Sequence, residues 1–112
     1  MKQVIIYTDG SCIPQDERKP GGYAAILKYG NHTRAVSGAQ FNTTSQKMEL
    51  TALIEALKML RQPCEAVVFT DSQYVMKCAV GEYKINKNAD LFHQLDKVVE
   101  AGGHKLGFVK VE

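Results

Sequence analysis

Two stretches decide the fold: Ile5-Ile6-Tyr7-Thr8-Asp9 and Val67-Val68-Phe69-Thr70-Asp71. Each is a β-branched and aromatic run that stops at Thr-Asp, followed by Gly10 in the first case and Ser72 in the second. Such runs read as buried strands and the residues after them as turn formers. Ala66 to Thr70 is apolar without alternation, the pattern of a strand buried on both faces. A helical segment precedes it, so it runs parallel to an earlier strand. If the two Thr-Asp strands are parallel neighbours, both carboxylates leave the sheet at one carboxyl edge, where open α/β sheets hold their ligands.

The segment from about Gln46 to Arg61 is the clearest helix. Leu53, Ala56, Leu57 and Leu60 recur at helical spacing, while Lys47, Thr51, Glu55, Lys58 and Gln62 take the other side. Thr43, Thr44 or Ser45 can cap its start, and Pro63 stops it. Strands are expected at about Val4–Thr8, Tyr23–Tyr29 and Thr33–Gly38, the last two joined at Gly30-Asn31 as a hairpin. A short helix opens at Asp71-Ser72. Another runs from about Ala89 to Ala101 and ends at Gly102 or Gly103. A last strand covers Leu106–Val111. Three antiparallel strands followed by alternating helices and parallel strands make a mixed α/β sheet.

Glu49 is out of place on this pattern. At 100° per residue it falls within the Leu53/Ala56/Leu60 stripe, where an acid needs a partner or a cation. By position alone it could equally be a first-turn acid favoured by the helix dipole, and Asp9 or Asp71 alone could be a turn-forming residue. Together the three read as one carboxylate cluster. Such a cluster repels itself, and hard divalent cations, Mg²⁺ or Mn²⁺, relieve the repulsion.

The bulk numbers are permissive. The chain has 112 residues, 45% hydrophobic and 23% charged, with a net charge of +2. That suits one domain spanning 1–112 and allows a nucleic-acid partner without requiring one. No apolar run is long enough to cross a membrane. No signal peptide is visible, and the odd set Cys12, Cys64 and Cys78 has no CxxC pair, so a cytoplasmic protein with reduced thiols is expected. Cys12 has no base spaced to make it a nucleophile.

On these residues the sequence resembles type 1 ribonuclease H. The matching stretches are Tyr7–Cys12, Gly21–Leu27, Thr43–Leu50 and Thr70–Val75, with Lys87–Leu91 and Phe108–Lys110 extending them in family order. The resemblance implies a ribonuclease H-like five-stranded sheet in the order 3-2-1-4-5 with helices on both faces. It implies that Asp9, Glu49 and Asp71 hold Mg²⁺ or Mn²⁺ and carry hydrolysis of the RNA strand of an RNA–DNA hybrid, leaving 5′-phosphate and 3′-hydroxyl ends. Gly10, Ser11 and Cys12 would lie against the RNA strand. Ser45, Gln46 and Gln73 would reach the minor groove, whose 2′-hydroxyls mark the RNA strand, and Thr44 would hold a DNA phosphate.

Two departures shape the expectation. Where the family often has a basic, Trp-bearing protrusion, only Gly81–Lys87 stands, which predicts weaker hybrid binding. The sequence also ends at Glu112, before a His-bearing loop and a helix that in the family supply a fourth carboxylate. His32, His93 and His104 read as surface residues that do not replace that His. The alternatives are a catalytically weak or silent nucleic-acid-binding module, a fourth acid supplied in trans by the missing segment or a homodimer, or substitution by Glu112. An aspartate-nucleophile phosphatase would want a second acid two residues after Asp9, where Ser11 stands.

Overall fold

A computed structural model describes residues 1–81 and 84–111. The elements are β1 (Lys2–Cys12), β2 (Gly21–Tyr29), β3 (His32–Gln40), α1 (Ser45–Lys58), β4 (Cys64–Thr70), α2 (Gln73–Ala79), α3 (Ala89–Gly102) and β5 (Lys105–Lys110). The five strands form one sheet in the order β3-β2-β1-β4-β5. β1, β2 and β3 are antiparallel neighbours, whereas β1–β4 and β4–β5 are parallel. The mixed pairing is the one that the strand pattern leads one to expect, and the order is the one that the resemblance implies.

Local chemistry accounts for the elements. Gly30 takes φ 56° in the two-residue link between Tyr29 and His32, a backbone that glycine adopts without cost. The Thr44 side chain accepts from the Lys47 backbone N–H at 3.1 Å and caps α1. The helix ends three residues earlier than the expected end at about Arg61. Met59 and Leu60 donate back to the Ala56 and Leu57 carbonyls at 3.1 Å each, a tightened last turn that releases the chain before Pro63. β1 is longer than expected: it continues past Asp9 to Cys12 because β2 still pairs with it there, Asp9 opposite Ala24 and Cys12 opposite Gly21.

The core lies between one face of the sheet and the helices. Val4, Ile6, Ala25, Leu27, Ala66 and Val68 meet Leu50, Leu53, Leu57, Val75, Phe92 and Leu95 in one buried cluster. The expectation of helices on both faces is met on one face only among the described residues. Both parallel connections step across the sheet in the same direction, and right-handed crossovers of that kind deliver their helices to the same side. β4 is accordingly buried on alternate residues rather than throughout. The opposite face shows Tyr7 stacked on Phe69 with ring centroids 5.1 Å apart. Tyr7 there is 39% exposed, Ile26 42% and Val109 42%.

His104 is not a surface residue; it is 7% exposed. Its Nδ1 accepts the Cys64 backbone N–H at 3.1 Å, tying the start of β4 to the end of α3. The Glu112 carboxylate lies outside the described residues. Among the described residues no helix is long and apolar enough to cross a membrane, and all three cysteines are free.

Candidate active site

The site is built where β1, α1 and β4 meet at the carboxyl edge of the parallel strands. The register Tyr7↔Phe69 carries β1 and β4 side by side toward Asp9 and Asp71. Asp71 directly follows β4, and both aspartates are exposed. Asp9 does not follow its strand but sits inside it, so β2 fixes its backbone as well. Glu49 is buried, 6% exposed, on the second turn of α1. No acid occupies the first turn of that helix, so the dipole explanation for Glu49 does not apply.

α1 reaches the sheet this closely because of Gly10. A Cβ at Gly10 would lie 2.5 Å from the Glu49 backbone N and 2.7 Å from the Met48 carbonyl carbon. With no side chain in the way, the Gly10 N–H donates to Glu49 Oε1 at 3.0 Å. Glu49 Oε2 is buried and receives no hydrogen bond. Asp9, Glu49 and Asp71 each offer one carboxylate oxygen, and these oxygens lie within 4.8 Å of one another.

Such a cluster cannot be comfortably anionic by itself. The Glu49 carboxyl is pushed up to about 7, chiefly by burial, with the charges of Asp71 and Asp9 adding to the rise and the Gly10 N–H opposing it. A donor set made only of carboxylate oxygens, one of them buried and unpartnered, fits a hard divalent cation. The three acids expected to act together are therefore brought together.

The other expected residues line the same edge. Gly10 and Ser11 border a shallow recess of about 270 Å³ with Asp9, Gly22, Tyr23, Ala24 and Gly38. Cys12 faces away from it and lines a second recess of about 380 Å³ with Thr44, Ser45 and Gln46. Its Sγ lies 3.3 Å from the Thr43 carbonyl oxygen. Gln46 also lines a third recess of about 430 Å³ with Tyr74, Cys78, Lys84, Asn86 and Lys87. Gln73, exposed, opens α2 two residues after Asp71. Ser72 Oγ caps that helix through the Val75 N–H at 3.2 Å.

Lys19 and Thr43 also line the second recess and were not expected there. Thr43 is buried and its Oγ1 has no hydrogen-bond partner. Its sequence signal was that of a cap, a role taken by Thr44. Lys19 carried no signal, because its position depends on a left-handed turn, φ 44°, within the loop after β1.

Comparison with known proteins agrees with this arrangement. The sequence model of the RNase H family matches residues 1–111. A protein named Ribonuclease H from Acetivibrio thermocellus is 41% identical over 128 aligned positions, covering 100% of this chain and 83% of that protein. Another so named, from Cupriavidus pinatubonensis, is 41% identical and covers 95% of this chain and 79% of its own length. Among solved structures, LC11-RNase H1, isolated from compost, superposes with a TM-score of 0.81 at 25% identity, over 99% of this chain and 85% of that one. The same protein in complex with an RNA/DNA hybrid gives 0.82 at 24% identity, over 96% and 84%. With its sheet order, its carboxylate cluster and a family match over nearly its whole length, the chain belongs to the ribonuclease H family of hydrolases.

Proposed function

We propose that this chain binds RNA–DNA hybrids at the carboxyl edge of its sheet and hydrolyses the RNA strand there, leaving 5′-phosphate and 3′-hydroxyl ends. The observation that carries the reading is the convergence of Asp9, Glu49 and Asp71 within 4.8 Å, with Glu49 Oε2 buried and unpartnered. Asp9, Glu49 and Asp71 are the residues that would hold Mg²⁺ or Mn²⁺. When bound, such an ion supplies charge neutralisation at the phosphodiester and an activated water. The chain's part is to fix the donors: Gly10 orients Glu49, and β2 and β4 hold the two aspartates at one rim.

The flanking recesses suit a duplex whose shape rather than sequence is read. Gly10, Ser11 and Cys12 would meet the RNA strand. Ser45, Gln46 and Gln73 present short donors and acceptors to a minor groove. Thr44, joined by Lys19 and the unpartnered Oγ1 of Thr43, would hold a DNA phosphate. The hybrid complex of LC11-RNase H1 supports this choice of partner. Residues 1–112 would act as one domain, and three free cysteines suit a cytosolic setting.

A second reading, a hybrid-binding module without turnover, is favoured by one feature: among the described residues the cluster holds three carboxylates and no fourth. The test is an end-labelled hybrid incubated with Mg²⁺ or Mn²⁺, beside Asp9→Asn prepared in parallel, with hybrid affinity measured separately. Cleavage by the parent that falls at least 100-fold in Asp9→Asn supports the hydrolase. Binding without cleavage gives the second reading. A rate that climbs with the square of protein concentration means that a second copy completes the site.

A further inference from the structure

At the edge of the sheet opposite the acids, β2 and β3 run past the end of α1 and leave a half-enclosed cavity of about 230 Å³. Asp9 lies seven residues along β1 from Lys2, roughly 23 Å of extended strand. The cavity is therefore a separate place from the carboxylate cluster. Its floor is apolar and buried: Val4, Leu27 and Cys64, with Leu60 and Met59 as one wall. Its rim is cationic. Lys2, His32, Arg34 and Arg61 all line it, and among the described residues no carboxylate does.

These basic side chains are not consumed by the fold. None of the four makes an ion pair with a described residue. Lys2 Nζ lies 5.1 Å from the centre of the Tyr29 ring, which also lines the cavity. A basic residue after a helix commonly offsets the negative helix end, which accounts for Arg61 alone. Lys2, His32 and Arg34 come from the sheet and have no such duty. Three permanent positive charges around an apolar floor match a dianion joined to an apolar body. Two guanidinium groups are the donors that grip phosphate oxygens in pairs.

We propose that this cavity binds a small phosphorylated compound with an aromatic body, of the mononucleotide class, its ring on the Val4–Leu27 floor against the Leu60 wall and its phosphate between Arg34, Arg61 and Lys2. The cavity is smaller than the roughly 300–1,000 Å³ typical of ligand pockets, so the ligand is small and its charged end stays at the mouth. A duplex cannot enter it.

The test titrates adenosine 5′-monophosphate into the ¹⁵N-labelled chain with a chelator present, so that the carboxylate cluster holds no metal. Saturable amide shifts are expected at Leu27, Tyr29 and Leu60. Adenosine alone and inorganic phosphate alone should each bind at least tenfold more weakly. Arg34→Ala/Arg61→Ala should weaken the nucleotide at least tenfold while leaving hybrid binding at the parent level. Shifts confined to the Asp9 edge would overturn the proposal, as would equal binding of phosphate or adenosine alone, nucleotide binding unchanged in the double variant, or hybrid binding that falls with it. Tighter binding of a single-stranded oligonucleotide than of the mononucleotide would make the rim a nucleic-acid surface and equally end it.

Discussion

The Gly10 backbone N–H and Glu49 Oε1 are joined at 3.0 Å across 39 residues of sequence. That bond locks the buried acid of the cluster, Glu49, to the strand that carries another, Asp9. It exists because α1 lies against β1 at a residue without a side chain.

Gly10→Ala should therefore damage both fold and site. The new methyl would meet main-chain atoms of Met48 and Glu49 at 2.5–2.7 Å, and a backbone cannot swing aside as a side-chain tip can. Overpacking of this kind costs about 1–3 kcal/mol. Urea unfolding should show that loss, and hybrid cleavage should drop at least tenfold as Glu49 moves. A variant with parental stability and rate would show that the close approach is not needed.

Glu49 makes the metal-free protein less stable as pH rises. Its carboxyl titrates near 7 in the folded chain against 4.5 ordinarily, so between those values the folded state holds a proton that the unfolded state has lost. Stability present below pH 4.5 is lost as pH climbs through about 7, to a limit of roughly 3 kcal/mol. Melting temperatures in chelator should fall across that window, and Glu49→Gln should flatten the slope. Mg²⁺ or Mn²⁺ should raise the melting temperature most above pH 7, where the metal no longer competes with a proton. A pH slope identical in parent and Glu49→Gln would refute this.

His104 works in the opposite direction. Burial holds its imidazole below the usual 6.5, and its Nδ1 must stay unprotonated to accept from Cys64. The unfolded chain binds that proton more readily, so the stability His104 contributes is complete above pH 6.5 and is lost as pH falls below it. In a Glu49→Gln background, where the competing slope is gone, adding His104→Asn should reduce the loss between pH 6.5 and 5. Acid-unfolding curves that superpose with and without the substitution would rule the linkage out.

The mixed sheet, the hairpin and the three acids were legible in the sequence because each rests on a local pattern, whereas the strand order came from the resemblance to ribonuclease H. Two runs end in Thr-Asp, Gly30-Asn31 separates two strands, and an acid interrupts a helical stripe. What escaped depends on neighbours. β1 outlasts Asp9 because β2 continues beside it, and α1 ends early because Met59 and Leu60 bond backwards. His104 is buried because its partner, Cys64, is 40 residues away. The unbroken run Ala66–Thr70 suggested burial on both faces, since composition shows what a strand tolerates and not what lies upon it. Thr43 was legible only as a cap, and its role in lining a recess appears once Thr44 takes the cap.

The uncovered sheet face has a calorimetric consequence. Tyr7, Ile26, Phe69 and Val109 already meet water in the native state, so unfolding hydrates less new apolar surface than in an ordinary domain of this length. A chain of 112 residues would ordinarily show a heat-capacity step of about 1.3–1.7 kcal/mol/K. Here the step should fall below that range, giving a flatter stability curve with little tendency to denature in the cold.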